Sequence, residues 1–163
     1  GTTALYDAVA WVPDVTAEAG NHKRAVVLVT DGADNASTLD PAAARYLVRQ
    51  ARLPVYVLGL DTETPAERDE QGEAVYRFAH LLDLLARASG GRFYSVPEPE
   101  EVATAARSIH EEITHQYVLG FQAEDGGDRE YRTLEVRVEG VKKPELVHRE
   151  GYRGGPPASL SSR

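Results

Sequence analysis

R-A-V-V-L-V-T-D-G-A-D-N, Arg24 to Asn35, is the stretch that decides how this chain folds. An apolar run from Ala25 to Val29 stops at Thr30, Asp31 and Gly32, with Asp34 and Asn35 just beyond. A short β-branched run closed by turn residues reads as a strand buried on both faces. In an open α/β sheet, ligands bind just outside the carboxyl ends of the strands. That rule puts Asp31 at the centre of any chemistry, and Gly32 lets the backbone turn away without shielding it. The strand by itself favours a plainer role, in which Asp31 caps the turn that follows.

Working outward, Leu5, Ala8, Val9 and Val12 recur at the i, i+3, i+4, i+7 spacing of an amphipathic helix. Thr3 stands at the expected N-cap, and Asp7 lies in the first turns, where the helix dipole favours negative charge. Pro13 lacks an N–H and should kink or break this helix. Asp14 to Ala19 continues it, and Gly20-Asn21 ends it. Downstream of the central strand, Asp40-Pro41 reads as N-cap and first helical residue. The helix they open should run to about Arg52, with Tyr46, Leu47, Val48 and Ala51 on its buried side.

Pro54 to Leu60 is a second buried strand, which ends in Gly59, Leu60 and Asp61. Thr62 to Glu73 is acidic, is broken by Pro65 and Gly72, and reads as a surface loop, in part helical. Tyr76 to Ala88 is a strongly apolar helix carrying Phe78, Leu81, Leu82, Leu84 and Leu85, stopped by Ser89-Gly90-Gly91. Arg92 to Val96 is a third short strand. Pro97 to His115 is an amphipathic helix with Val102, Ala106, Ile109 and Ile113 on one stripe. Helices and strands in alternation imply a parallel sheet with right-handed crossovers.

After His115 the period changes from helical to two-residue. Tyr117, Leu119 and Phe121 alternate along Gln116 to Gln122, and Leu134, Val136 and Val138 along Tyr131 to Val138. Turn signals at Gly126-Gly127 and Gly140 separate these runs, and Glu145 to Arg149 offers a third. Such a pattern is an antiparallel meander. Arg153 to Arg163, rich in Gly, Pro and Ser, should be a disordered tail.

The 163 residues carry a formal charge of -8. That balance argues against nucleic acid, which needs a basic footprint. Without cysteine, neither a disulfide nor a thiolate ligand is possible. No apolar run approaches the roughly 20 residues that cross a bilayer, and no signal peptide is in view. The sequence has no methionine, so the chain is expected to start inside something larger.

Three segments then resemble, in order, one known family. They are Gly1-Thr2-Thr3-Ala4-Leu5-Tyr6-Asp7-Ala8, Val26 to Asn35, and Ser89-Gly90-Gly91-Arg92-Phe93-Tyr94. Together they resemble the carboxyl-terminal half of a von Willebrand factor type A (VWA) domain, most closely the bacterial VWFA-related subgroup. Gln116-Tyr117-Val118-Leu119-Gly120-Phe121 and the stretch ending near Arg149-Glu150-Gly151-Tyr152 extend the likeness almost to the end of the chain. The resemblance implies a Rossmann-like, doubly wound, mostly parallel sheet over residues 1–115. An antiparallel β extension would follow over 116–152.

The family's metal-ion-dependent adhesion site (MIDAS) holds one divalent cation, usually Mg²⁺, at the carboxyl edge of the sheet. Its loops supply D-x-S-x-S, a Thr and an Asp. By the resemblance, Thr3 matches the Thr and Asp31 the Asp, with Thr2 as the alternative if the register slips by one. The chemistry agrees, because Mg²⁺ takes about six oxygen ligands and keeps several waters. Mn²⁺ or Ca²⁺ would be the substitute ions. No D-x-S-x-S occurs in the chain. The amino-terminal half is therefore expected to lie upstream of Gly1, with metal binding weak or absent in this chain alone. The strand Ala25 to Thr30 would then show an open edge that invites self-association.

Other polar residues read more plainly. Asp34 and Asn35 are turn residues before they are outer supports of a metal. Asp61 and Thr62 lie near the same edge. His22, His80, His110, His115 and His148 show no ligand pairing; His110 and His115 are five apart, not the i, i+4 of a zinc helix. The leading functional expectation is a non-enzymatic, extracytoplasmic binding or adhesion module that takes an acidic side chain from a protein ligand. A scaffold with a degenerate site is the second reading. An α/β phosphohydrolase using Asp31 is the third, and no base or phosphate loop accompanies Asp31 to support it.

Overall fold

The computed structural model describes residues 1–13, 24–31, 34–51, 53–60, 67–68, 74–75, 77–121 and 130–153. Expectations for the helix tail at 14–21, for His22, for Asp61 and Thr62, and for the tail after Arg153 fall outside these residues. Helix α1 is Leu5–Ala10, β1 is Val26–Thr30, α2 is Pro41–Val48 and β2 is Val55–Leu60. A two-residue pair, β3 (Glu67–Arg68) and β4 (Ala74–Val75), lies where an acidic loop was expected, and its residues pair antiparallel. Then come α3 (Arg77–Ser89), β5 (Phe93–Val96), a 3-10 turn at Pro99–Glu101 and α4 (Val102–Thr114). The last strands are β6 (Tyr131–Thr133) and β7 (Gly151–Arg153).

β1, β2 and β5 form one parallel sheet in that order, with Val26 opposite Val55 and Val57 opposite Phe93. This is the expected α/β architecture, a partial Rossmann-like sheet with helices on both faces. On one face, Val55 and Val57 pack with Leu5, Val9, Ala44, Val48, Leu82 and Leu85 from α1, α2 and α3. On the other, Tyr56, Leu58 and Val96 pack against Ala105 and Ile109 of α4. β2 lies between two strands and two helical layers and is buried on both faces, as a continuous apolar run requires.

β1 departs from the expected double burial. Val27 is 45% exposed and Val29 56%, while Val26 and Leu28 pack into the first core. The reason is position: β1 is the edge of the described sheet, and α4 sits over β2 and β5. Periodicity also misassigned some helical positions. Tyr46 is 46% exposed, and Ala44 takes its place in the core of α2. On α4 the buried residue is Ala105, while Ala106 and Val102 face outward. The helix axis is set by contact with the sheet, and a small rotation moves neighbouring positions across its boundary.

The carboxyl-terminal extension is thinner than a three-strand meander. β6 pairs antiparallel with β7, Tyr131 opposite Arg153. Gln116 to Phe121 and Glu145 to Arg149 form no strand. Tyr117, Val118, Leu119 and Phe121 instead lie 61 to 90% exposed. Two-residue alternation gives a segment two faces, but a ladder needs a partner at the right spacing. Here only Tyr131–Thr133 finds one. The extension is tied to the sheet domain by ion pairs: Glu150 to Arg45 and Arg49, and Glu145 to Arg92.

Candidate functional site at the carboxyl edge of the sheet

Asp31 follows β1 directly and is exposed, whereas the preceding Thr30 is buried opposite Gly59. The chain beyond folds back onto the segment before α1. Asn35 and Ala36 each donate a backbone N–H to the carbonyl of Thr3, at 3.1 Å. Thr3 returns its own N–H to Asn35 Oδ1 at 2.8 Å. The segments bearing Asp31 and Thr3, far apart in sequence, are thereby joined at this edge of the sheet.

Asp34 is the hub of this junction. Its Oδ2 accepts from the Tyr6 N–H at 2.9 Å and from Ser37 Oγ at 2.6 Å, and its Oδ1 accepts from the Ser37 N–H at 3.0 Å. Ser37 Oγ in turn accepts from the Asp7 N–H at 3.1 Å. Asp7 reaches back the other way, its carboxylate accepting from the Thr38 and Leu39 N–H groups and from the Thr38 hydroxyl. Two carboxylates and two hydroxyls thus lace the start of α1 to the loop at 34–39.

This corrects the expectation that Thr3 caps α1. The N-cap is Ala4, with no side-chain cap bond. Thr3 has its backbone engaged by Asn35 and Ala36, so the helix begins one residue later. The orphan N–H groups of its first turn are served by Asp34 and Ser37 from elsewhere in the chain. Asp7 likewise does more than face a dipole. Asp40, by contrast, is the N-cap the sequence indicated, its Oδ1 accepting from the Ala43 N–H at 2.7 Å with Pro41 following.

The electrostatics follow the donors. The N–H groups of Thr38 and Leu39 hold the Asp7 carboxyl below its ordinary value. For Asp34, desolvation pushes up, but the Ser37 hydroxyl and the Tyr6 and Ser37 N–H groups outweigh it, and the net direction is down. Burial, then the Asp34 charge, push the Tyr6 hydroxyl up. Asp7 and Asp34 are therefore carboxylates whose acceptor capacity is used in holding two loops together.

As a metal centre, the edge offers the right kind of donor in small number. Thr3 contributes a hydroxyl and Asp31 an exposed carboxylate, the hard oxygen donors that Mg²⁺ takes. Among the described residues no group of three or more His, Cys, Asp or Glu side chains is arranged to hold an ion. His80, His110, His115 and His148 are all exposed. Asp31 and Thr3 are legible in the sequence, and Asp34 reads there as a turn residue or an outer support of the metal, but Ser37 and Thr38 carry no such signal. Asp34 three residues before Ser37 is a turn signature, yet nothing local shows that its outer oxygen serves a helix 28 residues away.

Together the sheet, its two helical layers and this junction define an α/β module with a polar carboxyl edge. No family model matches the chain, and no curated protein matches it. Among solved structures it is similar to an uncharacterized membrane spanning protein from Vibrio fischeri. That match has 22% identity and a TM-score of 0.43, over 60% of this chain and 50% of that one. It is also similar to an aerotolerance-related membrane protein from Bacteroides fragilis, with 21% identity and a TM-score of 0.47, over 70% of this chain and 60% of that one. The chain thus spans about half to three-fifths of the length of these proteins. Likeness at this level assigns no activity. No helix among the described residues is long and apolar enough to cross a membrane.

Proposed function

We propose that this chain is part of a VWA-like protein-binding module rather than an enzyme. In this reading Asp31 and Thr3 give oxygen ligands to a Mg²⁺ ion, and an acidic side chain of a protein partner completes its shell. The supporting observation is the junction itself: Asn35 fastens the Thr3 segment beside the loop that leaves Asp31, and Asp31 stays exposed. Ligands beyond these two come from water, from the partner and from polypeptide outside the described residues. The ion would supply a fixed positive charge. The chain would orient Thr3 and Asp31 around it through Asn35, Asp34 and Ser37. The module acts outside the cytoplasm, and the open side of β1, with Val27 and Val29, is a surface for self-association.

A scaffold reading is favoured by a different observation. Asp7 and Asp34, the other carboxylates at this edge among the described residues, are occupied by N–H and hydroxyl donors, which leaves a sparse donor set there. Calorimetric titration with Mg²⁺ and Mn²⁺ separates the two. It should be run on this chain and on the chain with its natural upstream sequence, each beside Asp31→Ala. Binding that appears or tightens with the upstream sequence, and disappears in Asp31→Ala, supports the metal-assisted module. Absence of binding in both forms leaves the scaffold.

A further inference from the structure

The chain is acidic overall, yet among the described residues one face brings four arginines together where α2 meets the carboxyl-terminal extension. Arg45 and Arg49 lie at the carboxyl end of α2, away from its Asp40 cap. Arg149 and Arg153 come from the carboxyl-terminal extension. Glu150 accepts from Arg45 Nη2 on both oxygens, at 2.8 and 2.9 Å, and from Arg49 Nη2 at 3.0 Å. The Arg49 guanidinium lies 4.6 Å from the centre of the Tyr131 ring. Tyr131 sits opposite Arg153 in the β6–β7 ladder. The Arg153 guanidinium lies 5.1 Å from the centre of the Tyr46 ring, beside Arg45. Arg149 joins this group by donating to the Arg49 carbonyl at 2.8 Å.

Among the described residues, Glu150 pairs with two of these four guanidinium groups, those of Arg45 and Arg49. After pairing with Glu150, the Arg45 and Arg49 side chains remain 32% and 30% exposed. Tyr46 and Arg153 are exposed outright. Burial holds Arg149 below the ordinary guanidinium value. Arginine and tyrosine held rigid by stacking are the residues that carry binding energy at interfaces. Planar guanidinium groups match carboxylates two bonds at a time.

We propose that the face formed by α2 and β7 binds a carboxylate-rich polypeptide segment of another protein, without help from a metal ion. A carboxylate segment suits the patch because Arg45 and Arg49 already hold a carboxylate there, that of Glu150, through paired guanidinium hydrogen bonds. This surface is independent of the Asp31 edge and stands whether or not that edge binds Mg²⁺.

The test is fluorescence anisotropy of a labelled oligoglutamate peptide with the full chain in EDTA, at low and at physiological salt. Binding is expected, and it should weaken as salt rises. Arg153→Glu should weaken it about fivefold. Tyr46→Ser, which keeps the charge but removes the stacking ring, should weaken it about twofold. Arg107→Glu makes the same charge change on α4, across the sheet, and should leave affinity unaltered. The proposal is overturned if oligoglutamate does not bind, or if Arg107→Glu costs as much as Arg153→Glu. It is also overturned if Asp31→Ala abolishes binding, if Tyr46→Ser has no effect, or if a single-stranded oligonucleotide of matched charge binds more tightly.

Discussion

Replacing Asp34 with alanine should unfasten α1 from the loop at 34–39 without touching the hydrophobic core. The side chain accepts three hydrogen bonds, from the Tyr6 N–H, the Ser37 N–H and the Ser37 hydroxyl. Loss of an N-cap acceptor costs about 1 kcal/mol, and here the orphaned N–H belongs to Tyr6, which is 8% exposed. A second cost falls on Ser37, whose hydroxyl loses its acceptor and holds Asp7 less well. The sum is roughly 2 kcal/mol, less than three charge-assisted bonds would suggest, because water reaches this edge and replaces part of them. For a chain of this size that lowers Tm by roughly 4–8 °C. Urea denaturation followed by circular dichroism would measure the free energy, and hydrogen exchange at the Tyr6 and Asp7 amides would show where it is lost. A loss below about 0.5 kcal/mol for Asp34→Ala, or unaltered exchange at Tyr6, would refute the idea that Asp34 fastens the helix.

Three further outcomes follow from the same geometry. Asp7, Asp34 and Glu150 all have carboxyl groups held below their ordinary values; for Glu150, burial pushes up and Arg49 and Arg45 prevail. Groups with depressed folded values add stability that is present above the unfolded value, and lose it as pH falls through the folded one. Acid titration by circular dichroism should therefore show stability falling below about pH 4, with Asp34→Ala flattening that slope. Gly90 has φ +87°, and a Cβ there would stand 2.8 Å from the Arg149 backbone N. Gly90→Ala should consequently cost about 1–2 kcal/mol and free the carboxyl-terminal extension to limited proteolysis. A stable variant with the extension still protected would count against that packing. Finally, Val29→Lys places a charge on the exposed side of β1 and should abolish any concentration-dependent mass in light scattering; an unchanged oligomer would move the contact elsewhere.

The three strands of the parallel sheet, the helices around them and their order were legible because each rests on a local rule. Val55 to Leu60 is apolar at every side-chain-bearing position, and only a strand covered on both faces uses such a run. Asp40-Pro41 carries its own cap chemistry three residues long. Asp31 was legible as an exposed residue at a strand's end for the same reason. What failed was anything that depends on a distant neighbour. Val27 and Val29 read as core until the edge position of β1 exposed them. Tyr117 to Phe121 read as a strand, but no ladder forms along it. Thr3 read as a cap until Asn35 claimed its backbone.

The sequence by itself determined the alternation of helix and strand, the parallel sheet and the place of Asp31, because hydrophobic period and turn chemistry act within a few residues. Tertiary structure alone decided that Asp34 and Ser37 cap a helix nearly thirty residues earlier. It also decided that Arg45 and Arg49 pair with Glu150, and that Arg49 and Arg153 lie over the rings of Tyr131 and Tyr46. Those contacts join segments whose separation along the chain carries no periodic signal. Packing of α1 and α2 on one face of the sheet brings the first set within bonding distance, and the second forms where Glu150 and β7 meet α2.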